Sequence, residues 1–552
     1  MAGGVLSSAC LFLELGVDKE MGKLWYGGTI YTLENEESRV EAIFTEGNRI
    51  VQIGEKKQLE EMFNDRITEW VDLKGGTMFP GFVDSHIHLI GHGETLIRLD
   101  LSKMKSKEEV LAAVKENVRH SQKGEWIIGE GWNENLWVRS EIIHRKEIDE
   151  ISPENPVLLK RICRHAMVVN TKALELAGVS EKTVCPPGGV IEKDGMTGLT
   201  GLLKDTAQDL INTAVPSVSE EYLQKALKAA IKDLYRLGIT GAHTEDLNYY
   251  GGFHRTYKTF KKVIEEEGYK FRSHLLAHHE VVDDMVNEGA SFLTGNEWVE
   301  FGAMKIFADG ALGGRTALLS HPYHDAPDTN GVAIFNQEEL NALVAKARTY
   351  NLPVAVHAIG DLAFQYVLNA VEAHPLVGSG RDRLIHAQIV RQDLIDRAKK
   401  LPVIIDIQPV FLASDFPWVM NRIGSENMDY CYAWKTLLHA GLSCAGGSDA
   451  PIEMPNPLFG IHAAVTRTNR NDPKGIIYGK EQALSVYEAV CLFTKGSAYA
   501  ACHEHNRGMI KEGYLADFTV LEQNIYNIPH SEIPEVPVMM TVIGEEIVFE
   551  KE

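Results

Sequence analysis

The chain has 552 residues, 44% hydrophobic and 24% charged, with a formal charge of −22. That length exceeds one ordinary core and predicts a large domain with a smaller companion. The charge excludes a nucleic-acid or anionic-membrane partner, no basic run argues otherwise, and no apolar stretch approaches the length of a membrane span. Seven cysteines (Cys10, Cys163, Cys185, Cys431, Cys444, Cys491 and Cys502) are scattered, with no Cys-x-x-Cys pair. This is the pattern of reduced thiols in a cytoplasmic protein.

Residues 1–20 read as an extension. Val5–Leu15 is mildly apolar but has no positive charge before it, and Glu14 and Asp18 lie close by, a poor secretory signal. Lys23–Leu33 and Arg39–Ile53 then read as strands, with Gly27-Gly28 and Gly47-Asn48 as turns. Gly513–Leu521 and Val536–Phe549 look similar at the far end, so one small sheet domain built from both ends is expected, over 21–79 and 505–552. Between them, 80–504 shows short apolar runs separated by helical segments. Eight runs end in polar residues: Phe82–His88, Ile239–Glu245, Arg272–His279, Ala303–Asp309, Pro353–His357, Leu384–Gln388, Val403–Gln408 and Leu442–Asp449. Helices are expected at Tyr222–Leu237, Arg255–Glu267, Gln337–Tyr350, Asp361–Ala373 and Arg391–Lys399. Eight such units predict an α/β fold, a closed (β/α)8 TIM barrel with its chemistry at the C-terminal strand ends. Residues of about 100–235 make the first connection too long. They read as an insertion covering the barrel mouth, with strands at Trp126–Gly129, Val157–Arg161 and Met167–Asn170 and a Pro/Gly loop at Cys185–Gly198.

The first run closes with His86 and His88, two apart on a strand and therefore on one face, half of a metal site. Lys305 lies within the fourth apolar run, and His357, His386 and Asp449 come from the ends of the fifth, sixth and eighth. Four histidines and a carboxylate suit zinc or a similar divalent ion. Singly, each has a plainer reading. Lys305 pairs with a carboxylate such as Asp309, His357 or His386 is a satisfied core histidine, and Asp449 caps the following helix.

The chain resembles the amidohydrolase superfamily, and within it the third amidohydrolase family, the N-substituted formamide deformylase-like group. The likeness rests on Pro80-Gly81-Phe82-Val83-Asp84-Ser85-His86-Ile87-His88, Lys305-Ile306-Phe307-Ala308-Asp309-Gly310, Val356-His357-Ala358, Ile385-His386-Ala387 and Gly447-Ser448-Asp449-Ala450-Pro451. The resemblance implies that His86 and His88 hold one ion and His357 and His386 a second. Lys305 would bridge the two after its amine has reacted with carbon dioxide, because an ammonium has no lone pair and a carbamate offers two anionic oxygens. One or two divalent ions, zinc first among them, are implied, and the terminal pieces would form a composite β-sandwich domain. The implied function is hydrolysis of a non-peptide carbon–nitrogen bond in a small amide, N-substituted formamide-like, by a metal-activated hydroxide. Zinc lowers the pKa of a bound water from ~15.7 to about 7. Asp449 would bind the first ion and shuttle the proton, with His386 and His165 as further catalytic candidates, His165 as an oxyanion or orientation donor. Trp132, Asn133, His165 and Gln408 are the candidate substrate contacts, although Trp132 and Trp137 also read as packing of the insertion and His165 as a surface residue of the lid. Alternatives are hydrolysis of a cyclic amide, carbamate or ester by the same site, or a non-catalytic regulator that keeps the barrel. The expected partner is a small-molecule amide in the cytoplasm, and a homo-oligomer is compatible with the sequence.

Overall fold

A computed structural model describes residues 22–552 except 135, 136, 162–165, 187, 188, 196, 197, 217, 379, 471 and 473. Eight parallel strands run in chain order round a nearly closed ring: β1 (Phe82–Ile87), β2 (Ile239–Thr244), β3 (Arg272–His278), β4 (Val299–Phe307), β5 (Val354–Ala358), β6 (Asp382–His386), β7 (Val403–Ile407) and β8 (Cys444–Gly446). Each is an apolar run whose outward side chains pack under helices. Glu220–Arg236 buries Leu223, Leu227, Ile231 and Leu234 at 3- and 4-residue spacing, and Ser219 caps its N-terminus. Gln337–Thr349, Asp361–Ala373 and Gln392–Ala398 fall where the helical periodicity places them. Phe253–Phe260 passes into a π-turn at Lys261–Glu266. Inside the ring, Leu276, Ala303, Ala355 and Ile385 form one small apolar layer.

β1 and β8 share no ladder. The seam between them closes beyond the strand ends, where Asp449 N–H donates to the His86 carbonyl (2.7 Å) and His88 N–H to that of Ala450 (2.8 Å).

Strands from both chain ends meet in one eight-stranded sheet that includes Gly22–Tyr31, Arg39–Glu46 and Thr77–Pro80 from the front, and Phe518–Leu521, Val538–Ile543 and Glu546–Glu550 from the back. Alternate residues feed opposite faces, Leu24 and Phe44 one cluster, Trp25 and Ile43 another. The Gly47-Asn48 turn has positive φ at both residues (61° and 72°), the geometry a two-residue hairpin requires.

The long first connection is a separate layer. Its six-stranded sheet contains Ile127–Trp132, Val157–Arg161 and Ala166–Val169, with one apolar cluster on each face. The Pro/Gly loop expected at Cys185–Gly198 is instead largely a hairpin, Gly189–Asp194 against Gly198–Asp205. The strand Gly189–Asp194 is half-exposed throughout and lacks the apolar alternation that marks a strand in sequence. A crevice bordered by Arg98, Glu130 and Gly131 on one side and Pro451–Pro455 on the other sets this layer beside the loop after β8. Among the described residues no helix is long and apolar enough to cross a membrane.

Candidate metal centre

The site stands at the C-terminal end of the barrel, over the seam. His86 Nε2 lies 3.1 Å from Lys305 Nζ and 3.5 Å from Asp449 Oδ1, and His88 Nε2 lies 3.3 Å from that same oxygen. One ligand atom from each of His86, His386 and Asp449 falls within 4.8 Å of the others. The His357 and His386 rings are 4.4 Å apart.

Three of the four imidazoles are pinned from behind. His88 Nδ1 meets the Glu245 carbonyl at 2.9 Å, His357 Nε2 the Gly310 carbonyl at 3.0 Å, and His386 Nδ1 the Gln408 Oε1 at 2.7 Å. A carbonyl oxygen only accepts, so each of those nitrogens carries a proton, and in His357 and His386 the opposite nitrogen keeps its lone pair. In His88 burial would lower the ring, but the Asp449 carboxylate outweighs it and raises the ring to about 9, so its Nε2 is protonated as well near neutral pH. Fixing the tautomer from the outer side is how a protein orients histidine ligands toward an ion. Among the described residues the His386 Nε2 so exposed is buried without any hydrogen-bond partner, and Asp449 Oδ1 faces imidazole nitrogens, of His88 at 3.3 Å and of His86 at 3.5 Å. Burial holds His386 down at about 4, so its lone pair is free at neutral pH.

Lys305 is fully buried. Desolvation lowers its amine to about 8, and among the described residues no carboxylate forms an ion pair with it. The alternative partner is occupied elsewhere: Asp309 accepts the backbone N–H groups of Leu318 (2.8 Å), Ile359 (3.0 Å) and Gly360 (2.8 Å). Asp449 is held below the usual carboxylate range. Burial would raise it, but the His88 hydrogen bond and the neighbouring positive charges outweigh that.

Backbone conformation aims two of these groups. Ile385 joins the inner apolar layer, so strand alternation would turn His386 outward. Its φ of 79°, followed by 45° at Ala387, breaks the alternation and returns the ring to the site. Asp449, at φ 57°, is left-handed as well. Such non-glycine residues cost on the order of 1–3 kcal/mol each and concentrate at functional sites.

The expected substrate contacts fare differently. Gln408 is buried against His386 and acts on that ring. Trp132 is a correction: it is fully enclosed in the core of the insertion, its indole N–H bound to the Leu159 carbonyl at 3.0 Å, so it presents no surface to a ligand. Trp137 packs in the same cluster. Asn133 lies half-buried at the end of that strand, its carbonyl 3.5 Å from Arg161. His165 lies outside the described residues.

Sequence reasoning missed the groups that act behind the ligands. Asp84 sits in the first motif, and its carboxylate takes the N–H of His86 (3.0 Å) and of Ser448 (3.1 Å), tying the two sides of the seam. A second buried cluster lies toward the opposite end of the barrel. Glu300 accepts from His274 (3.0 Å) and His503 (2.5 Å), fastening the segment after the last barrel helix to β3 and β4.

A family model described as "Amidohydrolase family" matches residues 69–549. YtcJ of Bacillus subtilis is 51% identical over 531 residues, covering 96% of this chain and all of that protein. The N-substituted formamide deformylase of Arthrobacter pascens is 25% identical over 540 residues, 95% of this chain and 97% of that one. Among solved structures, an uncharacterized metal-dependent hydrolase from Pyrococcus horikoshii aligns with a TM-score of 0.78 at 29% identity, over 92% of this chain and 99% of that one.

Proposed function

The chain belongs to the amidohydrolase family, and from that premise we propose that this metal-dependent hydrolase of carbon–nitrogen bonds acts on a small N-substituted amide of the formamide class. The observation that carries the reading is the convergence of His86, His386 and Asp449 ligand atoms within 4.8 Å, beside a buried lysine that forms no ion pair with a carboxylate among the described residues.

The donor set fits a divalent ion. His386 Nε2 is an orphaned buried atom facing the site among the described residues, His357 retains one lone pair, and Asp449 Oδ1 lies 3.3 Å from His88 Nε2, a carboxylate and an imidazole whose shared proton an ion would displace. In this reading His86, His88 and Asp449 would hold one zinc-like ion and His357 and His386 a second, with Lys305, once carboxylated, as a further anionic ligand. Burial lowers the Lys305 amine toward neutrality, which favours the uncharged form that reacts with carbon dioxide. A bound divalent ion supplies an acidified water and a Lewis acid for the substrate oxygen.

The chain's own residues do the rest. Asp449 accepts a proton at Oδ1 from the attacking water and returns it to the departing nitrogen, which leaves poorly unless protonated. Its left-handed backbone and the bond from its own N–H to the His86 carbonyl fix that oxygen in place. Gln408 keeps His386 from rotating. The test is metal analysis of the purified chain together with a panel of N-substituted formamides and other small amides, with Asp449→Asn alongside. We expect at least one divalent ion per chain, turnover of a formamide, and an Asp449→Asn variant that folds normally but loses about 10²–10⁴-fold in kcat. A chain without bound ion and inert on every amide refutes the reading.

A further inference from the structure

β3 ends in a histidine that the site described so far does not use. In the parallel ladder His278 is paired with Lys305, and paired positions on neighbouring strands share a face. Lys305 points into the ring, 3.1 Å from His86, so His278 points inward too. Its ring stands 5.9 Å from that of Phe307, which in turn stands 5.2 Å from the His357 ring and 4.5 Å from the Lys305 amine. His278, Phe307 and His357 therefore follow one another along the rim formed by β3, β4 and β5.

The main chain also settles where the His278 proton sits. The backbone N–H of Glu280 lies 3.3 Å from His278 Nδ1. An amide N–H can only donate, so Nδ1 presents its lone pair and the neutral ring carries its proton on Nε2. The Glu280 carboxylate is 3.6 Å from the same nitrogen, but its side chain is 61% exposed and its charge is screened by water. Among the described residues no protein acceptor takes the Nε2 proton.

We propose that His278 donates a hydrogen bond from Nε2 to the carbonyl oxygen of the substrate. The inference rests on the reading of the site as an amide hydrolase. As the carbonyl carbon becomes tetrahedral its oxygen gathers negative charge, and a donor already held in place strengthens as that charge grows. The proton stays on Nε2 throughout, so no bond to hydrogen is made or broken at this residue. His278 would fill the oxyanion-donor role that the sequence suggests for His165.

Two substitutions separate donation from packing. His278→Phe keeps a planar ring without the donor, and His278→Gln keeps an N–H near the position of Nε2. Each is assayed as metal-loaded full chain on whichever amide the unaltered protein hydrolyses fastest. His278→Phe should lose about 10²–10³-fold in kcat, with KM, metal content and melting temperature nearly unchanged, and His278→Gln should recover much of that loss. Undiminished kcat in His278→Phe overturns the proposal. A second measurement needs no substrate: in the ¹⁵N-histidine spectrum of the unaltered chain near neutral pH, the resonance that disappears in either variant should report an Nε2–H imidazole with bare Nδ1. A protonated Nδ1 overturns the proposal. If no amide is hydrolysed, the functional reading falls and this spectrum alone decides whether His278 is built as a donor.

Discussion

Gln408 is not among the proposed ligands, yet it decides which way one of them, His386, faces. Its side-chain carbonyl holds His386 Nδ1 at 2.7 Å, and its amide nitrogen reaches back to the Asp406 carbonyl at 3.3 Å. The ring it holds sits on a left-handed backbone and stacks within 6.0 Å of Phe411. Gln408→Leu keeps the volume and removes the acceptor, leaving a buried N–H without a partner. The imidazole would then flip or change tautomer at a cost of about 1–3 kcal/mol. We expect metal affinity to fall by about 10–100-fold, as for other lost partners of ligating histidines, while the fold survives. Competition against a chromophoric chelator measures this directly, and an unchanged affinity would show that the bond to Gln408 is incidental.

At the scale of the elements, the seam between β1 and β8 leaves the space into which both its flanks send proposed ligands. Strands that pair fully would fill the space with ladder, whereas here Asp84 bridges the gap by gripping His86 N–H and Ser448 N–H. Gly447 permits this approach. A Cβ there would lie 2.6 Å from the His86 nitrogen and 3.0 Å from Asp84 Oδ1. Gly447→Ala should therefore pry the seam open, cost about 2 kcal/mol or more, and release His86 and His88 from Asp449. The expected result is a melting temperature lower by several degrees together with a reduced metal-to-protein ratio. A stable variant with full metal content would show that the seam tolerates widening. The same elements show what sequence can carry. Barrel strands announce themselves as bounded apolar runs, so His86, His357, His386 and Asp449 were findable as polar residues at run ends and Lys305 as a charge inside one. β4 is the instructive exception: it begins at Val299, four residues before the expected Ala303. Glu300 breaks its apolar run, and that charge is tolerated only because His274 and His503, far away along the chain, bond to it. The Asp84–Ser448 grip spans 364 positions, and the turn that swings His386 inward is a backbone angle. Neither leaves a local signature.

Over the whole molecule, buried neutral histidines are the dominant titratable feature. Burial lowers His243 and His274, and lowers His278 and His462 to about 4. In an unfolded chain each would take up a proton near pH 6.5. The sign follows from proton counting. Below about pH 6.5 the unfolded state binds more protons than the folded state, so stability is full above that pH and declines as pH falls toward 4. For His462, buried on the helix Pro457–Thr466, a drop from 6.5 to about 4 corresponds to roughly 3 kcal/mol lost by pH 4. Glu300 adds to the same limb. Burial would raise it, but the bonds from His274 and His503 prevail and hold it well below the usual carboxylate range, so its contribution is complete above about pH 4.5 and erodes below. His88 opposes the trend. Burial would lower it, yet Asp449 raises it to about 9, and its contribution is complete below pH 6.5 and fades as pH rises through 9. Buried carboxylates oppose it too: burial raises Asp84, Glu245 and Asp309 to about 7, so each takes up its proton in the folded chain first and adds stability as pH falls below about 7. The His462 share is therefore isolated by difference. Between pH 7.5 and pH 5 the urea-denaturation midpoint of His462→Leu should lose less on acidification, or gain more, than that of the unaltered chain. Parallel curves would mean that His462 titrates in the folded chain as it does in water.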